Sequence, residues 1–369
     1  MTVKGTSILR AQNEKRILSF LRRSKTSSRK EMADVFGLSK NTVSMIVDKL
    51  LQEGIIMELG LDQMGVGRPR VELTLVAQAR HAIGLLIRDT HCDIVVTDYY
   101  GNIVETDVLF VDATNVEQCI VELSRRCMSL LQKYKNVLGI GVAIPGMVDP
   151  VNGIVRYSTH LQWRDVHIVE LLQQDLGMIT IQVLNRVKAA ALSPVRVVPE
   201  DANSTFYIRI DEGVGGAFVL GHDIVQGVTF TAGEFGHVVV APQGPLCSCG
   251  QRGCLESLIS LPVVQAKFHG TLPEEDLGTD VVGFTVLQET GEYLGKAMAM
   301  VINLFNPEYI VIDSPFNHLT PFKKAVLETV RDKSLWYPFE AAHFVFSHTP
   351  HSSAWGMAFA IILEFEGAI

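Results

Sequence analysis

Gly233-Glu234-Phe235-Gly236-His237 and Cys247-Ser248-Cys249-Gly250-Gln251-Arg252-Gly253-Cys254-Leu255-Glu256 are the most informative residues of this 369-residue chain. Three thiols and one imidazole stand close together on a backbone that glycines allow to turn sharply. Such a set would close a tetrahedron around Zn2+ with no open position, so a bound metal would be structural rather than catalytic. The alternative is buried, unliganded cysteines, a common fate for free Cys. Clustering favours the metal: half of the six cysteines lie within eight residues, whereas Cys92, Cys119 and Cys127 are scattered. The predicted ligands are His237, Cys247, Cys249 and Cys254.

Gly-Glu-x-Gly-His followed by Cys-x-Cys-Gly-x-x-Gly-Cys-Leu-Glu resembles the signature of the ROK family of sugar kinases and sugar-responsive repressors. The resemblance implies a zinc loop on those four ligands, with Glu234 and Glu256 reaching sugar hydroxyls beside His237. It also implies an α/β body with the two-lobed actin-like ATPase fold and a cleft between the lobes. Gly139-Ile-Gly-Val-Ala-Ile-Pro-Gly146, Leu161-Gln-Trp163 and Asn185 before Ala189-Ala-Ala191 fit the same pattern, so the likeness spans about residues 77–369.

Several residues depart from the kinases of that family. The first phosphate turn, Asp-x-Gly-Gly-Thr in those enzymes, is Ile87-Arg88-Asp89-Thr90-His91 here, without the glycines that let backbone amides approach phosphate. The second, Gly-Thr-Gly, is Asp211-Glu212-Gly213, which places two carboxylates where phosphate would sit. The Gly-Gly that follows the strand 309–312 is Asp313-Ser314. The Asn-Asp pair that carries the general base is Asn185-Arg186, and Arg does not accept a proton at any working pH. The body is therefore expected not to be an enzyme. Arg186, with Lys188 near it in sequence and His160 where kinases tend to have Asn, makes this side of the expected pocket more cationic. One consequence is an anionic effector, a sugar phosphate or sugar acid, clamped by Arg186. The other is an internal salt bridge from Arg186 to Glu234 or Glu256 and a defunct pocket. The candidate effector residues are Asn185, Arg186, Glu234, His237 and Glu256.

The N-terminal residues have a different character. Ile17, Leu18 and Leu21 share one face of a short helix. Ser28-Arg-Lys-Glu31 is a capping-box pattern opening a second helix, with Met32 and Val35 on its apolar side. Gly37-Leu38 makes a turn, and Ser39 caps a third helix with Val43, Ile46, Val47 and Leu50 facing inward. The outward residues Lys40, Asn41, Thr42 and Ser44 can bond base edges and phosphates, as in the second helix of a helix-turn-helix. Two strands, 55–59 and 71–75, then flank a tip carrying Arg68 and Arg70, an arrangement suited to a minor groove. A three-helix protein-interaction module would share the helices but not the basic reader and Arg-tipped wing.

Charge divides along the same boundary. Residues 1–75 carry 13 Lys+Arg against 8 Asp+Glu, while the whole chain is at −8, which leaves the remainder acidic. A polyanion such as double-stranded DNA would dock on the N-terminal part alone. No apolar run reaches the roughly 18 residues of a membrane span and no secretion signal precedes the first helix, so the cytoplasm is the expected compartment. The expected domains are a winged helix-turn-helix over 1–76, a first lobe over 77–200 and a second lobe over 201–369, with a C-terminal helix that could return to the first lobe. The whole reads as a sugar-responsive transcriptional regulator, a repressor by resemblance, working as a homodimer or homotetramer. A protein-docking adaptor and a degenerate sugar kinase are the competing readings.

Overall fold

The computed structural model describes residues 5–62, 70–193, 198–199, 202–221, 223–268, 272 and 281–367. The chain begins with α1 (Gly5–Ser24), β1 (Ser27–Ser28), α2 (Arg29–Phe36), α3 (Lys40–Gln52), β2 (Ile56–Asp62) and β3 (Arg70–Leu75). Ser28 caps α2 by accepting from the Glu31 N–H, and Ser39 caps α3 by accepting from the Thr42 N–H, as their polar pattern predicts. Glu31 reaches the Ser27 hydroxyl at 2.9 Å. Met32 is buried as expected, but Val35 is 56% exposed, and Ala33 takes the inner place instead. At 100° per residue Phe36 lies 40° and Ala33 100° round α2 from Met32 in one direction, whereas Val35 lies 60° round in the other, which turns it out of the core.

The body begins with β4 (His81–Ile87), β5 (His91–Asp98), β6 (Ile103–Phe110), α4 (Val116–Lys133) and β7 (Val137–Ile144). It continues through β8 (Met147–Asp149), β9 (Ile154–Ser158), β10 (Trp163–Val166), α5 (Ile168–Leu176), β11 (Thr180–Asn185) and α6 (Arg186–Ala191). A second series follows: β12 (Ser204–Ile210), β13 (Val214–Leu220), β14 (Asp223–Ile224), α7 (Glu256–Ile259), α8 (Leu261–Lys267), α9 (Val281–Phe305) and β15 (Tyr309–Asp313). It closes with α10 (Thr320–Lys333), α11 (Trp336–Ala341), β16 (His343–Ser347) and α12 (Ser352–Glu366).

These elements form two compact units, residues 1–194 with 353–369, and residues 195–352. Each holds a five-stranded sheet, ordered β11-β7-β4-β5-β6 in one and β14-β13-β12-β15-β16 in the other. The sheets have one topology. β4 pairs antiparallel with β5 and parallel with β7, just as β12 pairs antiparallel with β13 and parallel with β15. The turns 88–90 and 211–213 thus occupy equivalent hairpins in two copies of one unit, although the sequence carries no legible repeat.

In the first unit α12 lies against β4 so closely that a Cβ at Gly84 would stand 1.8 Å from the Ala354 carbonyl oxygen. Its Ala358, Ile361 and Ile362 share one buried cluster with Ile17, Leu18 and Leu21 of α1 and with Val43, Ile46, Val47 and Leu50 of α3. The N-terminal helices therefore complete their core with the C-terminal helix. In the second unit Leu287, Leu294, Met298 and Ile302 of α9 are buried against Ile208, Ile310 and Ile312 of the sheet, so this helix is core.

Candidate metal centre and nucleic-acid interface

The candidate nucleic-acid interface is the outward face of α3. The inward residues of α3 are fully buried, which fixes its outward face. Lys40 and Asn41 are exposed, and Ser44 is half-buried. Thr42 is partly engaged, its hydroxyl 2.8 Å from that of Ser39. Asp48 also faces outward, bound by Arg29 at 2.7 Å. Arg68 lies outside the described residues, and Arg70 is the first residue of β3.

The candidate ligand cluster forms from two approaches of the backbone. His237 sits in a single helical turn, Phe235–His237, while the cysteines lie on a loop tied by Val239 pairing with Cys254 and Leu246 with Arg252. The Cys247 N–H donates to the Gln251 carbonyl at 2.8 Å, and the Gly250 N–H to the Cys247 carbonyl at 2.9 Å. Gly253 is indispensable to this path: its φ is +72°, and a Cβ would stand 1.5 Å from the Ala241 oxygen.

With Zn–S near 2.3 Å, the ligand atoms of a tetrahedral zinc set stand roughly 3.8 Å apart. Cys249 Sγ is 3.6 Å from Cys254 Sγ, and Cys247 Sγ is 3.6 Å from His237 Nδ1. All four ligand atoms lie within 4.8 Å of one another. The donors therefore fit a closed metal site. The Gln251 backbone N–H lowers the Cys249 thiol below its ordinary value, whereas burial pushes Cys254 up to about 12. A metal would favour the thiolate at both.

The remaining candidate residues divide between the units. In the second, His237 turns Nδ1 to the thiols and Nε2 outward, 4.0 Å from Glu234 Oε2. Glu256 begins α7, and its Oε2 accepts the Val214 N–H at 3.0 Å. Metal at Nδ1 would leave Nε2–H as a fixed donor beside an exposed carboxylate. In the first unit, Asn185 caps α6, accepting from the Val187 N–H at 2.8 Å and donating to the Gly146 carbonyl at 2.8 Å. Most of its hydrogen-bonding capacity is thereby committed to the fold. Arg186 is half-buried and Lys188 buried. Two residues apart on a helix means about 200° of rotation, so Lys188 does not join Arg186 on one face.

Sequence reasoning missed a buried polar network behind the second-unit turn. Arg209 lies 3.0 Å from Asp313 and 3.2 Å from Asp211, and the Tyr207 hydroxyl donates to Asp313 at 2.5 Å. Ser352 lies beside Arg209, and His348 Nδ1 is 3.4 Å from Asp313. Burial alone would raise the Asp313 pKa, but the His348 hydrogen bond, the Arg209 charge and Tyr207 together hold it below the usual carboxylate range. One of the two carboxylates expected at the turn 211–213 thus has an internal cation. The alternation of β12 hinted at this: Tyr207 and Arg209 are polar residues two apart among Phe206, Ile208 and Ile210.

Residues 82–363 match the model of the ROK family. The chain belongs to the ROK family. Residues 10–57 match a model described as winged helix-turn-helix DNA-binding. The xylose repressor of Bacillus spizizenii is 26% identical over 346 residues, covering 90% of this chain and 89% of that protein. The DNA-binding transcriptional dual regulator NagC of Escherichia coli is 25% identical over 359 residues, covering 91% and 88%. Among solved structures, a ROK family transcriptional regulator described as a homolog of the E. coli MLC protein matches with a TM-score of 0.83 at 22% identity, covering 97% of each chain. The ROK hexokinase of Thermus thermophilus matches with a TM-score of 0.66 at 22% identity, covering 78% of this chain and 99% of that one. The fold is therefore α/β, a winged helix-turn-helix on a ROK body of actin-like architecture. The body is shared with kinases, whereas the likeness over nearly the full length is to a regulator. No described helix is long and apolar enough to cross a membrane.

Proposed function

We propose that this ROK protein is a DNA-binding transcriptional repressor of the cytoplasm that senses a carbohydrate and transfers no phosphoryl group. The observation that carries this reading is the shared core of α1, α3 and α12, which makes the DNA-reading helices one packed body with a sheet of the ROK fold. Ligand-dependent movement in that sheet would displace the reader. Lys40, Asn41, Thr42 and Ser44 contact the operator, with Arg68 and Arg70 at the wing. In a symmetric dimer the two readers must meet half-sites about 34 Å apart, so a small displacement releases DNA.

Zinc on His237, Cys247, Cys249 and Cys254 rigidifies the loop and orients His237 toward the effector. Glu234 and Glu256 accept from sugar hydroxyls. Arg186 receives an acidic substituent of the effector, while Asn185 holds the adjoining turn. Loss of kinase chemistry is supported by Arg186 in the general-base position and by the Arg209–Asp313 network behind the second phosphate turn. A second reading, a protein-docking adaptor, draws on Leu335, Trp336 and Tyr337, which are 65%, 74% and 69% exposed.

The deciding experiment is fluorescence anisotropy on a duplex from the region upstream of the protein's own gene and on genomic fragments. It is run across salt, with neutral sugars, sugar phosphates and sugar acids. Specific binding with a steep salt slope, released by one ligand class, supports the repressor. Failure on all fragments, with a salt-insensitive protein partner recovered instead, transfers support to the adaptor.

A further inference from the structure

We propose that Met45 reads a thymine C5-methyl group in the major groove and sets the base preference beside the position contacted by Asn41. This rests on the DNA-binding reading above and adds a specificity residue to it.

Helix α3 buries Val43, Ile46, Val47 and Leu50 completely, yet leaves Met45 54% exposed. At 100° per residue Ser44, Asp48, Asn41 and Met45 fall in that angular order within an arc of about 100°. Met45 is the apolar member of this arc. Asp48 would repel the phosphates that the helix approaches, but Arg29 binds its carboxylate at 2.7 Å, and another nitrogen of Arg29 lies 3.9 Å from Glu58. Asp48 beside Met45 therefore carries a bound guanidinium, which weakens its repulsion of phosphate.

In the major groove adenine, guanine and cytosine offer only hydrogen-bonding edges, whereas thymine adds a methyl group. An apolar side chain carried there desolvates the polar edges of the other bases without replacing their hydrogen bonds with water. Against thymine it removes two apolar surfaces from water. The unbranched thioether of Met adapts to the methyl without imposing one rotamer.

The test uses the full-length protein and a library of random-sequence duplexes, enriched in parallel with the wild type, Met45→Ala and Met45→Leu. The wild type and Met45→Leu should share a consensus containing a thymine whose preference Met45→Ala loses, with the remaining positions intact. Replacing that thymine with deoxyuracil should weaken wild-type binding about fourfold, the worth of one buried methyl, and leave Met45→Ala unaffected. A Met45→Ala consensus identical to the wild type, with deoxyuracil tolerated throughout, would overturn the proposal while leaving DNA binding in place. No enrichment by the wild type would overturn the DNA-binding reading itself.

Discussion

Arg22 of α1 and Glu366 of α12, 344 positions apart, form a buried two-pronged ion pair, with Nε 3.0 Å from Oε1 and Nη2 3.1 Å from Oε2. The guanidinium also lies over the Phe359 ring at 4.9 Å. The side chains are 4% and 0% exposed, so little water reaches either charge. Breaking a buried pair by truncating one partner should cost about 3–5 kcal/mol. Arg22→Ala and Glu366→Gln should each show this loss in urea denaturation of the first unit. The double change Arg22→Met/Glu366→Leu should recover most of it. Equal losses in the single and double variants would mean that packing, not charge, sets the effect.

Acid should weaken the second unit through Asp313. A carboxyl whose folded pKa is depressed adds stability above its unfolded value near 3.9, and that stability is lost as pH falls through the lower folded value. Unfolding free energy should therefore fall off below about pH 4. Asp313→Asn should lower stability at neutral pH and flatten the acid limb. An unchanged acid limb in the variant would assign the effect to other carboxylates.

Elemental analysis should find about one zinc per chain, and Cys249→Ser or Cys254→Ser should remove it together with much of the thermal stability. Cys119→Ser, in the core of the first unit, should keep the metal. Gly253→Ala should resemble the ligand variants, because its Cβ would overlap the Ala241 carbonyl. Full zinc retention in Cys249→Ser would exclude that thiol from the ligand set.

The neighbours Asn185 and Arg186 should separate by assay. Asn185→Ala removes a helix cap and the Gly146 hydrogen bond, so it should cost about 1–2 kcal/mol of stability. Arg186→Asp should weaken binding of a hexose phosphate, but not of the neutral hexose, in calorimetry. Undiminished hexose phosphate affinity would remove Arg186 as a clamp.

The sequence disclosed best what local pattern determines. Caps at Ser28 and Ser39, the inward face of α3 and the Cys-rich loop each arise within a few residues, and a short window contains their cause. The third strand of the first sheet, β6, escaped notice because Val104, Val108 and Phe110 are exposed along an edge and no clean alternation marks its inner face. The duplicated sheet topology left no matching residues to read. The Arg22–Glu366 and Arg209–Asp313 pairs were not legible, since an isolated charged letter reads as surface until its distant partner is known. The departure from the ROK kinases at Arg186 points to a cationic wall shared with Lys188, but about 200° of helical rotation sends the second side chain into the core.

The dependence of α1 and α3 on α12 also orders events during synthesis. The reader helices leave the ribosome early, but Ala358, Ile361, Ile362 and Glu366 emerge only after both sheets have been made. Until then the N-terminal segment has an open apolar flank, and Arg22 lacks Glu366. A chain interrupted by a premature stop codon, or clipped before α12, would carry the reader without the support it packs against. Such fragments should be poor competitors for an operator, so nonsense alleles should behave as recessive.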